Sequence, residues 1–134
     1  MTADFAALST GQEISSRTFV LGAAMVAGYV EAVGDRSGIF DLGEDRPVVP
    51  AMAVAALSLR GVLNDLGIPE GTVHVGQELG FSGLVQVGDE LTCKATVAQN
   101  SVRRNSRFVG LRLSVESGAG REIMSGKSTL VMPA

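Results

Sequence analysis

In the first half of the chain, the spacing of hydrophobic residues predicts one short strand followed by two helices. The strand is predicted over Glu13 to Leu21. Residues Ala23 to Val33 then place an apolar stripe at helical spacing, and Gly34 stands where a left-handed helix cap forms. After a loop over Asp35 to Val49, rich in Gly, Asp and Pro, the segment Pro50 to Leu66 is apolar on every side until its last turns. This second helix is therefore predicted to be buried all round.

In the second half of the chain the period changes to that of strands. Four strands are predicted, over Thr72 to Val85, Leu91 to Gln99, Arg107 to Glu116 and Glu122 to Met132. The segments NSVRRNS and SGAGR between the last three strands predict hairpin connections. An antiparallel sheet that wraps one buried helix would cover every apolar face. The sequence thus predicts an α+β hotdog fold, with residues 1–134 as one domain.

Composition excludes several classes of function. The chain has 134 residues, of which 46% are apolar and 19% charged, and its net charge of -3 gives no general attraction for nucleic acid or anionic membranes. The longest apolar run, Phe19 to Val30, is too short to span a bilayer, and the acidic start MTADFAALST lacks an export signal. One cysteine, Cys93, and one histidine, His74, cannot form a disulfide or a Cys/His metal cluster. We expect a cytoplasmic protein with no metal and no bound cofactor.

Four segments, in their order and spacing, resemble the MaoC-like dehydratases, a hotdog family that includes the (R)-specific enoyl-CoA hydratases. YVEAVGDRSGIF resembles the segment that carries a Gly-Asp-x-Asn-Pro-x-His pattern in that family. RPVVPAMAV resembles the start of its central helix, and GQELGFSGLVQVGDEL resembles the next strand with its Gly-Asp turn. KSTLVMP resembles the last strand. The resemblance covers most of the chain from about Arg17 onward.

The resemblance implies chemistry on acyl thioesters. In active members of the family an Asp and a His hold a water molecule, which is added to an enoyl thioester or removed from a 3-hydroxyacyl thioester. This reaction needs one group that takes a proton from water and one that delivers a proton to carbon. A backbone N–H at the start of the central helix would polarise the thioester carbonyl. The expected ligand is an acyl-CoA or an acyl-ACP.

This chain matches the catalytic pattern only in part. Gly34 and Asp35 match, and Asp35 is the one family catalytic position that is retained. Phe40 stands where the family has its catalytic His, and phenylalanine cannot transfer a proton. The remaining departures are Ser37 for the Asn, Gly38 for the Pro, Ala51 near the Gly of the helix start and Leu84 for a Pro. The resemblance places Phe40, Ala51 and Met52 at the substrate.

A broken catalytic pattern on an intact fold pattern resembles the non-catalytic subunits or N-terminal halves of the family. These pair with an active hotdog domain, so we expect a homodimer or a heterodimer with a catalytic MaoC-like subunit.

Two other functions stay open at this point. The chain could be a stand-alone hydratase in which His74 takes the role of the missing acid/base beside Asp35, although its position at a strand start is more typical of a structural or tunnel-lining residue. It could also be a hotdog thioesterase, but Met52 to Leu59 has no carboxylate to act as base or nucleophile.

Two further features of the sequence favour structural roles. Cys93 lies in mid-strand and is expected to pack as a small apolar group. Arg103, Arg104 and Arg107 could hold coenzyme A phosphates or a carrier protein, but short basic runs at turns are more often solvated hairpins.

Overall fold

In a computed structural model, residues 4–42 and 45–134 form one five-stranded antiparallel sheet with two α-helices. The strands are β1 Glu13–Val20, β2 Val73–Phe81, β3 Glu90–Arg103, β4 Ser106–Ser117 and β5 Glu122–Pro133, and the helices are α1 Ala23–Val33 and α2 Ala51–Leu66. Short 3-10 turns occur at Phe5–Ala7 and Ile39–Leu42. The order of strands in the sheet is β1-β3-β4-β5-β2, so that β1 and β2 form its two edges. The α+β hotdog fold predicted from the sequence is confirmed.

Both helices end where glycine allows a left-handed backbone. Gly34 follows α1 with φ 68° and donates its N–H to Glu31 O. Gly67 follows α2 with φ 62° and donates to Leu63 O. Because residues with a Cβ rarely adopt this conformation, the two glycines fix the helix ends that the sequence predicted. Pro50 lies one residue before α2, as its N-cap.

The inner face of the sheet and one side of α2 make the core. Ala53, Val54, Leu59, Val62 and Leu66 of α2 are buried in one cluster with apolar residues of the sheet. Leu57 is only partly buried, at the margin of this cluster.

The prediction that α2 is buried all round is wrong for the single chain. Met52, Ala56, Arg60 and Asn64 are exposed, and their four-residue spacing places them on one face of the helix. The physical reason is that one five-stranded sheet covers only one side of a helix, so the other side is left exposed. On α1 the apolar stripe is also partly open, because Val33 is 56% exposed.

Two strand boundaries differ from the prediction. The strand predicted over Thr72 to Val85 ends at Phe81, because the following residues turn toward the start of α2, where Gln86 forms a bridge with Val48. The hairpin between β3 and β4 is tighter than NSVRRNS suggests, since only Arg104 and Asn105 lie between the strands, both with positive φ. Two such residues are typical of the type I′ hairpin turn. Within the described ranges, no helix is long and apolar enough to cross a membrane.

Candidate functional site

Asp35 is held in a turn directly after α1. Its backbone N–H donates to Val30 O at 3.0 Å, and its Oδ1 accepts a hydrogen bond from the Ser37 N–H at 2.8 Å. Hydrogen bonds from the Ser37 side chain and backbone hold the pKa of Asp35 below its usual value. A carboxylate that is kept ionised by its own turn has less tendency to take a proton from water. The geometry is that of a turn-forming Asp.

Phe40 lies five residues further along, in the 3-10 turn Ile39–Leu42. Its side chain lies outside the described part of the structure, so that only its backbone position is known. The role of Phe40 at the substrate stays a prediction.

The N-terminus of α2 is fixed by hydrogen bonds to the turn before β3. Val49 N–H donates to Val85 O at 2.7 Å, and Val87 N–H donates to Pro47 O at 2.9 Å. An ion pair strengthens this connection, because Arg46 Nη1 lies 2.8 Å from Asp89 Oδ1. Two of the segments that carry the family resemblance therefore contact each other here.

The first turn of α2 is exposed. Pro50, as N-cap, makes no side-chain hydrogen bond to the helix, and Ala51 and Met52 are exposed. The first N–H groups of a helix have no partner within the helix, and the helix dipole favours negative charge there. The backbone N–H group that the resemblance places at the thioester carbonyl thus belongs to an exposed helix start, and its role stays a prediction.

His74 lies on the exposed edge strand β2, opposite Leu130 of β5. It lines two shallow cavities between β2 and α2, of about 360 and 400 Å³. Met52 lines the smaller one together with His74, whereas Asp35 lines neither. The structure brings His74 and Met52 to one cavity, and it does not bring His74 and Asp35 together there.

A larger cavity lies between β1 and α2, and sequence reasoning missed it. This β1–α2 cleft has a volume of about 490 Å³. It is lined by Ser16, Arg17, Thr18, Phe19, Val20, Leu21, Met25, Leu57, Ser58, Arg60, Gly61, Val62, Asn64 and Cys93. One signal was available, because Ser58 is the single polar residue within the apolar segment AMAVAALSL.

Ser58 is buried at this cleft with an unpartnered hydroxyl. The residue is 2% exposed, and its Oγ has no hydrogen-bond partner among the described residues. A buried polar group without a partner costs about 1–3 kcal/mol. The position of Ser58 therefore carries an energetic cost that a bound polar atom would relieve.

An ion-pair network includes Arg17, one of the residues that line the cleft. Arg17 of β1 makes a salt bridge with Asp65 of α2, and Ser15 Oγ donates to Asp65 Oδ2 at 2.7 Å. These hydrogen bonds, first that from Arg17 and then that from Ser15, lower the pKa of Asp65 to about 2. The network ties the edge strand β1 to the end of α2.

Cys93 and the arginines of the hairpin have structural surroundings. Cys93 is 1% exposed, and burial raises the pKa of its thiol to about 11, so it packs as a neutral group. Arg107 donates to Asn100 Oδ1 at 2.9 Å, and Asn100 in turn holds the carbonyls of Phe5 and Leu8. Arg103 and Arg104 are exposed at the hairpin tip.

Comparisons with known proteins agree with this fold. Residues 9–125 match the family model described as FAS1-like, dehydratase domain region. A search of curated proteins found no significant match. Among solved structures, the (R)-hydratase from A. caviae involved in PHA biosynthesis is 25% identical, with 95% of this chain and 98% of that chain covered and a TM-score of 0.77.

Two further solved structures are more distant in sequence and support the fold alone. The HadBC 3R-hydroxyacyl-ACP dehydratase complex from Mycobacterium tuberculosis is 23% identical over 98% of this chain and 100% of that chain, with a TM-score of 0.77. The MaoC-like dehydratase from Rhodospirillum rubrum is 19% identical over 94% of this chain and 93% of that chain, with a TM-score of 0.75. Because the family model covers most of its length, this chain belongs to the FAS1-like dehydratase domain region, in the MaoC-like hotdog family.

Proposed function

We propose that this chain is the non-catalytic subunit of a 3-hydroxyacyl/enoyl thioester hydratase-dehydratase. It binds the acyl thioester, as acyl-CoA or acyl-ACP, and pairs with a second hotdog chain that carries the complete acid/base pair. Its place is in cytoplasmic fatty acid metabolism, where a buried thiol such as Cys93 stays reduced. The observation that carries the proposal is Phe40 at the family's catalytic His position on an intact family fold.

The surroundings of Asp35 also favour a non-catalytic role. Addition of water requires one group to take a proton from water and another to deliver a proton to carbon. Asp35 accepts hydrogen bonds from Ser37 in its own turn, and residue 40 cannot supply the second group. What remains is a helix N-terminus at Ala51, which is suited to bind a thioester carbonyl without proton transfer.

The second support is an uncovered apolar surface along β2 and α2. Val73 and Val75 of β2 are 57% and 54% exposed, and Met52 of α2 is 49% exposed. An edge strand with open backbone groups and apolar side chains favours pairing with another strand. The HadBC dehydratase from M. tuberculosis is itself a complex of this fold, which supports a second hotdog chain as the occupant.

The two alternatives have less support. A stand-alone hydratase would need Asp35 and His74 at one reaction centre, and neither cavity beside His74 is lined by Asp35. A thioesterase would need a free carboxylate on α2. Asp65 is the only carboxylate in that helix, and it is already engaged by Arg17 and Ser15.

The test is an assay on crotonyl and longer enoyl thioesters, with the purified chain alone and co-expressed with a catalytic MaoC-like neighbour. We expect only trace turnover alone, because loss of one positioned acid/base group typically costs about a hundred- to ten-thousand-fold in rate. Turnover in the complex should survive Asp35→Asn in this chain. Robust turnover by the chain alone that is abolished by Asp35→Asn or by His74→Ala would show instead that it is an enzyme by itself.

A further inference from the structure

The face of the sheet that points away from both helices carries a group of cations. Leu111, Leu113 and Leu130 are buried in one cluster with residues of the two helices. Because side chains alternate along a strand, the residues between them point to the opposite side of the sheet. These include Arg112 on β4 and Lys127 on β5. We name this side the outer face.

Arg112 and Lys127 lie directly opposite each other in the register of β4 and β5. Side chains at such positions share a face with their Cβ atoms about 4.5–5.5 Å apart, and like charges there destabilise the sheet. Lys94 of β3 adds a third positive charge on this face, opposite Ser114 and thus two residues along from Arg112. A chain with a net charge of -3 therefore gathers three cations on neighbouring strands.

The side chain of Lys127 leads toward the strand of Arg112 and away from a carboxylate. Glu78 is its register partner on β2, but Lys127 and Arg112 take part in neither of the salt bridges found within residues 4–42 and 45–134. Instead, the Lys127 Cε lies 3.0 Å from the point where a Cβ on Gly110 would be, so that its stem crosses to β4. Gly110 and Arg112 are two residues apart on that strand. An anion bound beside them would offset the repulsion between the two cations.

A cavity of about 420 Å³ on the outer face offers room for such an anion. It is lined by Arg112 and Lys127 and also by Ser114 and Ser125, which are register partners one row further along β4 and β5. All four side chains can donate hydrogen bonds. Glu78 is the one carboxylate among the described residues of this lining, and it can accept a hydrogen bond from a ligand hydroxyl. The volume is within the range of roughly 300–1,000 Å³ that is typical of small-molecule sites.

We propose that this outer-face cavity binds a small phosphate monoester, with its phosphate between Arg112 and Lys127 and its hydroxyl-bearing part toward Ser114 and Ser125. A phosphate monoester has a charge of about −1.5 to −2 at neutral pH and three acceptor oxygens, so it matches two cations better than a carboxylate does. The planar guanidinium group can bind two of these oxygens, and the lysine ammonium can bind the third.

The site is separate from the thioester site of the proposed function and does not depend on it. Neither Asp35, nor His74, nor any residue of α2 lines the cavity. The cations that carry the proposal lie on β4 and β5, which are inner strands of the sheet. A second chain that pairs with the β2 edge would extend the sheet in its own plane, so it would leave the outer face open.

The first experiment compares ligands that differ in their negative charge. Titration calorimetry on the full chain would use glucose 6-phosphate, inorganic phosphate, gluconate and glucose. We expect glucose 6-phosphate to bind most tightly, gluconate at least about tenfold more weakly because it carries a single charge, and glucose not measurably. Equal affinity for glucose 6-phosphate and gluconate would overturn phosphate as the preferred anion. No measurable binding of either phosphate compound would overturn the site itself.

The second experiment locates the binding by charge-removing variants. Arg112→Gln and Lys127→Gln should each weaken the binding of glucose 6-phosphate at least about tenfold. Arg104→Gln removes the same charge at the exposed hairpin tip, outside the cavity, and should leave the affinity unchanged. An equal loss in all three variants would mean that the net charge of the chain, and not this cavity, attracts phosphate. Unchanged binding by Arg112→Gln and Lys127→Gln would exclude the cavity as the site.

The third experiment separates a small phosphate monoester from coenzyme A, which also carries one as its 3′-phosphate. Coenzyme A and 3′-dephospho-coenzyme A would each be titrated into the chain and into the Arg112→Gln variant. We expect coenzyme A to bind the cavity no more tightly than glucose 6-phosphate, because a cavity of this size holds little beyond the phosphate and one sugar ring. Coenzyme A binding that is at least about tenfold tighter, and that both Arg112→Gln and loss of the 3′-phosphate remove, would assign the cavity to the thioester ligand and overturn a separate site.

Discussion

The two edge strands of the sheet, β1 and β2, differ in how far the chain itself covers them. β1 is tied to α2 through the contacts of Ser15 and Arg17 with Asp65, and Ser15 is buried. On β2 only Leu79 is partly buried, and the other eight residues are exposed. Exposed apolar residues on an open edge are a risk of aggregation unless a partner covers them. The difference indicates that α2 covers part of β1, whereas β2 is exposed along almost its whole length.

The largest expected effect on stability comes from a substitution that disturbs the pairing of β2 with β5. A Cβ built on Gly126 of β5 would lie within 2.3 Å of Glu78 O and 2.7 Å of Leu79 Cδ2. Because one of these atoms belongs to the backbone of β2, Gly126→Ala must push the two strands apart. We expect a loss of about 2–3 kcal/mol in the free energy of unfolding, measured by denaturant titration.

Gly80→Ala on β2 is the matched control for this change. The Cβ built there meets Ser125 O at 3.9 Å, which is ordinary contact. It should change the free energy of unfolding by less than about 1 kcal/mol. Equal destabilisation by the two variants would mean that the close approach at Gly126 does not hold β2 in place.

A charged residue introduced on β2 can test whether this strand pairs with a second chain. Val75 on β2 and Val20 on β1 are the same residue type with nearly equal exposure, 54% and 52%. A lysine in a strand edge opposes pairing with a second strand, because its charge would have to be desolvated or left unpaired. We expect Val75→Lys to raise the dissociation constant of the proposed dimer at least about tenfold, which corresponds to ~1.4 kcal/mol of binding free energy. Sedimentation velocity over a concentration series would measure it.

Val20→Lys provides the comparison. It should leave the dissociation constant unchanged if β2 is the edge that pairs. The same two variants can be measured in the complex with a catalytic hotdog subunit. A stronger effect from Val20→Lys than from Val75→Lys would place the interface at β1 and reverse the comparison of the two edges.

The sequence predicted the elements of the fold well, because their signals are local. Gly34 and Gly67 mark the helix ends, and strand alternation marks β3 to β5. It could not predict which face of α2 stays open. That depends on how much of the helix one sheet covers, and the apolar pattern of Pro50 to Leu66 carries no information on it.

The sites were less predictable, because their contacts join distant parts of the chain. Arg17 and Asp65 are 48 residues apart, and nothing near either residue indicates their salt bridge. The β1–α2 cleft arises where four elements meet, and its one local signal was Ser58. Asp35 was singled out through the family pattern, but its Ser37 contact is a property of the turn. The catalytic and substrate roles of Asp35, His74, Phe40, Ala51 and Met52 stay predictions.

The smallest expected effect concerns the contact between β1 and α2 and depends on pH. The pKa of Asp65 is lowered to about 2 in the folded chain from an ordinary value of 3.8. The ionised form is therefore favoured by folding. Its contribution to stability is fully present above about pH 4 and is lost as the pH falls toward 2. Because Arg17 is well exposed, we expect this contribution to be no more than about 1 kcal/mol.

Asp65→Asn should remove this contribution, so that wild type and variant become equally stable near pH 2 and differ most at neutral pH. Urea titrations between pH 2 and pH 7 would measure the difference. Glu70→Gln, an exposed carboxylate outside both salt bridges of the described residues, is the control and should change little at any pH. If Asp65→Asn were as stable as wild type at pH 7, the contacts of Asp65 would not stabilise β1. The two edge strands would then differ only in the exposure of the apolar residues on β2.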